Sequence, residues 1–184
     1  MSEVSTPNDR LHDESAVDDL EPSFDKHDLL LELLKQVRAD LASLVRTQTD
    51  TRDAATHEEN RAEHAKDTRA TEQSYLARGL AARVEDLGRT AQQLSGLELI
   101  DFDSSDPIGL SAVVRVEDHE TDSVQVWWLV PAGGGLEIRS GERLVRTVTP
   151  AAPLGRALIG LSIGDEGVYD TPRGPRRFEV LAII

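Results

Sequence analysis

The sequence predicts an α+β protein in which an N-terminal antiparallel coiled-coil hairpin is followed by a compact β-rich domain. Between Leu30 and Leu94 apolar residues recur at steps of three and four, the seam of a coiled coil. From Ser111 onward they alternate and are rich in valine, the period of half-buried strands. The two patterns are separated by Asp101 to Pro107 (DFDSSDP), a run of turn formers.

Residues 1–25 hold eight acids against Arg10, half of the chain's formal charge of -14. So charged a segment has little to bury and is expected to be a disordered leader, either a solubilising tail or a docking motif.

The hairpin is expected over residues 26–100. Leu30, Leu34, Val37, Leu41, Leu44, Gln48, Thr51 and Ala55 form one stripe, and Leu76, Leu80, Val84, Leu87, Ala91 and Leu94 form its partner. Antiparallel packing of Leu30 on Leu94 puts the reversal near Ala62. A rod with arms of roughly 30 residues is on the order of 45 Å long, too long to be buried in a domain of this size. Its tip, near 57–67, carries Glu58, Glu59, Glu63 and Asp67. The seam fades from leucine at the base to Gln48, Thr51 and Ala55, so packing should weaken towards that tip. The same pattern also suits a solvated spacer or a dimerisation element.

Residues 101–107 read as a linker and 108–184 as the second domain. Ser111–Glu117, Val124–Val130 and Leu144–Thr149 are strand candidates, with Trp127 and Trp128 pointing to opposite faces. Gly133, Gly134 and Gly135 read as a flexible loop. Pro153–Ile159 reads as a short helix with proline in its first turn. Gly167–Thr171, the turn at Pro172 to Pro175, and Arg176–Ile183 form a terminal hairpin, for four or five strands in all.

Composition narrows the functional classes. The chain has no cysteine, so it has neither a disulfide framework nor a thiolate metal site. No apolar run approaches the roughly 20 residues of a membrane span and no signal pattern opens the chain, so it reads as cytosolic. No basic face marks a free-standing duplex DNA binder, so any nucleic acid would be held by a partner. His57-Glu58-Glu59-Asn60-Arg61 begins like a zinc-protease motif, but Arg61 stands where the second histidine ligand belongs. His57 and His64 read as unliganded.

Four motifs in the second domain carry a resemblance. Pro153 to Gly160 (PLGRALIG), Gly164-Asp165-Glu166, Thr171-Pro172-Arg173-Gly174 and Phe178 to Ile183 (FEVLAI) resemble, in order and spacing, the C-terminal domain of the bacterial transcription elongation factors GreA and GreB. Those factors also place a coiled-coil hairpin before it. The resemblance covers residues 26–184 and implies an FKBP-like C-terminal domain, similar to FK506-binding proteins. That domain docks at the rim of the RNA polymerase secondary channel while the hairpin reaches towards the active site.

It implies a monomeric accessory factor with no catalytic centre or metal of its own. Tip carboxylates, here Glu58, Glu59, Glu63 and Asp67, would share Mg²⁺ with the polymerase, which cleaves a backtracked RNA 3′ end itself. RNA and DNA are met only through the polymerase complex. Pro153, Leu154, Gly155, Arg156 and Leu158 are the docking candidates, Arg156 being equally suited to a structural salt bridge.

The family's tip has Asp, two residues, then Glu-Asn. Glu59-Asn60 matches the pair, and the Asp position falls on Thr56; a second register puts Asp67 at the Asp position and Ala70 at the Glu position. Some Gre relatives occupy the channel and inhibit, so both cleavage stimulation and inhibition remain open. A peptidyl-prolyl isomerase, which needs an aromatic-lined apolar pocket, and a coiled-coil adaptor are the competing classes.

Overall fold

The computed structural model describes residues 24–59 and 67–184, excepting the side chains of 53–59 and 67–74. The expected leader and Glu63 therefore lie outside the described residues, apart from Phe24 and Asp25.

Helix α1 spans Lys26–Glu59 and α2 spans Asp67–Ser95. Asp25 caps α1, its carboxylate accepting the His27 and Asp28 N–H groups at 2.8 and 3.2 Å. Leu30, Leu34, Val37, Leu41, Leu44, Gln48 and Thr51 are buried or half-buried, as the seam requires. On α2 the same is true of Leu80, Val84, Leu87, Ala91 and Leu94. Leu76, expected in that seam, is instead 63% exposed: its partner position is Gln48, where no apolar surface rewards closure.

Six strands follow: β1 Val113–Asp118, β2 Ser123–Leu129, β3 Glu137–Ser140, β4 Arg143–Val148, β5 Glu166–Thr171 and β6 Gly174–Ile183. Helix α3, Pro153–Leu158, joins β4 to β5. The sheet order is β3-β4-β2-β1-β6-β5, antiparallel except for β2 beside β4. The strand missing from the sequence reading is β3. It is a four-residue edge strand with one buried side chain, Ile138, too short for alternation to show.

Trp127 and Trp128 take opposite faces of the sheet, as expected. Trp128 is fully buried and donates its indole N–H to the Ser111 carbonyl at 3.2 Å. Its face packs against the hairpin base, so that Phe24, Leu29, Leu33, Val37 and Leu94 share one core with Val113, Trp128, Ile138 and Val145. Helix α1 thus buries two adjoining stripes at its base, where the sequence reading allowed one. Leu29 and Leu33, which lie off the seam, are buried beside the seam residues Leu34 and Val37 in the core shared with the sheet. Phe24 is only 6% exposed, which moves it from the expected leader into the core.

The opposite face packs Val114, Val116, Leu129, Phe178 and Val180 under Leu154 and Leu158 of α3. The segment 101–107 lies on the domain as a turn: Asp103 and Asp106 bond each other, and Phe102 packs at the edge of this second core. Gly133 to Gly135 is anchored. Thr147 Oγ1 donates to the Gly133 carbonyl at 2.6 Å and accepts the Leu136 N–H at 2.9 Å.

Candidate functional site

Two regions were expected to act, the hairpin tip and the surface of α3. Helix α1 runs through Glu58 and Glu59, and Asp67 opens α2, so the backbone carries three of the four acids to the rod's end. Their side chains are not among those described. Among the described residues no group of three or more His, Cys, Asp or Glu could hold a metal ion. The tip's donor set is all carboxylate, the hard-oxygen chemistry that suits Mg²⁺.

The rod is aimed by its base. Lys26, 7% exposed, donates to the Ile100 carbonyl and lies 4.8 Å from the Phe102 ring centroid. Burial lowers its ammonium pKa, and Asp101 opposes the shift. Ile100 N–H in turn donates to Ser111 Oγ at 2.8 Å. Ser111 holds φ at 73°, a left-handed conformation uncommon for serine, and is fully buried. The start of α1, the exit from α2 and the entry to β1 are thereby tied at one point.

Helix α3 begins at Pro153, whose missing N–H costs nothing there. Leu154, Gly155 and Leu158 are buried, so these three docking candidates support the helix from beneath. A β-carbon on Gly155 would lie 2.0 Å from the Thr149 carbonyl oxygen, so only glycine lets α3 approach this closely. Pro153, Arg156 and Ile159 form the exposed face. The Arg156 guanidinium donates to the Ala151 carbonyl, and among the described residues it has no ion-pair partner.

Beside α3 lies an apolar groove of about 440 Å³ lined by Trp127, Val148, Pro153, Leu154, Tyr169 and Pro172. Sequence reasoning missed it because Trp127 and Tyr169 are brought together only by the sheet. Burial raises the Tyr169 pKa. Directly across from Tyr169 on β6, Arg176 pairs with Asp118 at 2.8 Å. Burial pushes the Asp118 carboxyl up, but the Glu120 N–H, the Arg176 charge and Thr121 outweigh it and hold it below the usual carboxylate range.

Residues 103–184 match the family described as "Transcription elongation factor, GreA/GreB, C-term". GreA of Syntrophobacter fumaroxidans is 36% identical over 121 residues, covering 66% of this chain and 71% of the relative. The chain belongs to the GreA/GreB family.

The transcription inhibitor protein Gfh1 of Thermus thermophilus is a further relative, 33% identical over 119 residues, covering 59% of this chain and 72% of its own. The crystal structure of Gfh1 from Thermus thermophilus aligns with 85% of this chain and 93% of its own length, at 24% identity and a TM-score of 0.36. As a GreA/GreB member the chain has the two parts its sequence predicted, a helical hairpin and a β-rich domain.

Proposed function

We propose that this GreA/GreB protein binds RNA polymerase in the cytoplasm as a monomeric accessory factor. Its C-terminal domain docks at the rim of the secondary channel and its hairpin reaches down to the active site. The observation that carries this reading is the core shared by the hairpin base and the sheet. A rod that leaves the domain at a fixed angle converts docking at the rim into placement of the tip. Pro153, Arg156 and Ile159 offer the contact surface, with Leu154, Gly155 and Leu158 holding α3 in place beneath them.

Glu58, Glu59, Glu63 and Asp67 would complete the shell of a Mg²⁺ held by the polymerase. The metal, when bound, polarises a water for attack on the phosphodiester. The factor's own acids hold and orient; the polymerase cleaves.

The second reading is inhibition by occupancy of the channel. It is favoured by Thr56, which stands where the family's Asp belongs, and by the similarity to proteins named transcription inhibitors. One experiment separates the two: adding the protein to a backtracked elongation complex with labelled RNA. Faster cleavage that is lost in Glu58→Ala/Glu59→Ala/Asp67→Ala supports stimulation. Binding with slowed synthesis and no added cleavage assigns inhibition, and absence of binding rejects both.

A further inference from the structure

The sheet face that packs on the hairpin base is not covered along its whole length. Past Val145 and Trp128 it opens into a groove of about 370 Å³ lined on this face by Arg115, Arg143, Val124 and Val126, while Leu144 and Arg146 alternate to the opposite face, where Arg146 lies over Trp127. Two guanidinium groups and, among the described residues, no carboxylate line it on this face, although Glu117 stands two residues beyond Arg115 on β1. Val124 is 51% exposed, so the groove floor offers apolar surface as well as charge.

The chain itself leads to this groove. Phe24 is the first described residue, and Arg143 lies 6.0 Å from its ring centroid. Residues 1–23 therefore join the fold at the groove's rim. They carry seven acids against the single Arg10, five of them in Asp13–Glu21 together with Val17 and Leu20. Reach is no obstacle, since 23 residues can extend about 75 Å. Tethering also gives the segment an effective concentration on the order of millimolar, at which weak ion pairs suffice.

We propose that residues 1–23 are an intramolecular ligand, with the acidic stretch Asp13–Glu21 seated in the arginine groove between β2 and β4. The carboxylates meet Arg115 and Arg143, and Val17 and Leu20 cover Val124 and Val126. The occupant is anionic peptide, and its binding is sensitive to salt.

The chain's lack of cysteine allows a direct test in the full-length protein. A spin label on Ser15→Cys should selectively broaden the amide resonances of Val124, Gln125, Arg143 and Leu144, leaving Val168 and Tyr169 on β5 sharp. The broadening should vanish on going from about 0.01 M to about 1 M salt, where the screening length falls from about 30 Å to about 3 Å. It should also vanish in Arg115→Glu/Arg143→Glu and persist in Arg115→Lys/Arg143→Lys. The salt titration uses the unaltered groove, so a folding defect in the charge-reversed variant does not blur the result. Absence of selective broadening at low salt overturns the proposal, as does broadening that survives both salt and charge reversal. So does broadening seen only between chains in a mixture of spin-labelled and isotope-labelled copies, which would make the occupant a second copy.

Discussion

Replacing Leu94 by alanine tests whether hairpin and domain are one cooperative unit. Leu94 is fully buried near the end of α2, in the core that also holds Leu33 and Val37 of α1 and Val113, Trp128, Ile138 and Val145 of the sheet. Truncation removes apolar burial and leaves a cavity walled by β-sheet and helix, neither of which can collapse far; such changes cost about 2–5 kcal/mol. With a urea slope of about 2 kcal/mol per molar, a loss of about 3 kcal/mol lowers the midpoint by about 1.5 M. The assay is urea unfolding followed both by far-ultraviolet circular dichroism, which reads the long helices, and by tryptophan fluorescence, which reads Trp127 and Trp128 in the sheet. Both midpoints should fall together. Leu76→Ala, the same chemistry at a position 63% exposed, should change stability by no more than about 0.5 kcal/mol. A shift in dichroism with unchanged fluorescence would show that the hairpin folds by itself, and a Leu94→Ala cost below about 1 kcal/mol would refute the shared core.

Three more outcomes follow from the geometry. Gly155→Ala forces a β-carbon onto the Thr149 carbonyl, a backbone atom that cannot rotate aside, and should cost about 3 kcal/mol in thermal unfolding. Gly160→Ala, at φ 83° with open space around it, should cost only about 1 kcal/mol. Thr147→Val strands the Leu136 N–H and the Gly133 carbonyl, for a loss of about 1–3 kcal/mol and faster hydrogen exchange at Leu136. Because the Asp118 pKa is lowered by folding, its stabilisation is complete above the unfolded value of about 3.9 and fades as pH falls through the folded value. Asp118→Asn, which can still accept the turn N–H groups, should flatten this acid limb in urea titrations at successive pH values; an unchanged slope would exclude Asp118 as its source.

The hairpin was legible because a coiled-coil seam is a one-dimensional pattern: Leu30, Val37, Leu44 and Leu87 announce it through spacing alone. Leu29 and Leu33 were not assigned, because in a leucine-rich run periodicity shows that a face is apolar but not which neighbour covers it. Tertiary context decides, and here the neighbour is a sheet more than 75 residues away. The groove by α3 was illegible for the same reason: Trp127 and Tyr169 meet only through the strand order. At α3 the motif from Pro153 to Gly160 was visible, yet three of its residues proved to face inward. A resemblance marks which positions matter without telling whether they touch a partner or hold up those that do.

The strand β6 lies between β1 and β5 in the sheet, yet it is the last element in chain order. During synthesis Val114, Val116, Leu129 and Leu158 leave the ribosome before Phe178 and Val180, the side chains that complete their core. About 65 residues separate Val114 from Val180, which at about 5–20 residues per second means several seconds with one apolar face bare. For that interval the nascent chain presents a surface of the kind that chaperones hold. Translation speed through the codons for α3 and β5 becomes a determinant of yield, independent of how stable the finished protein is.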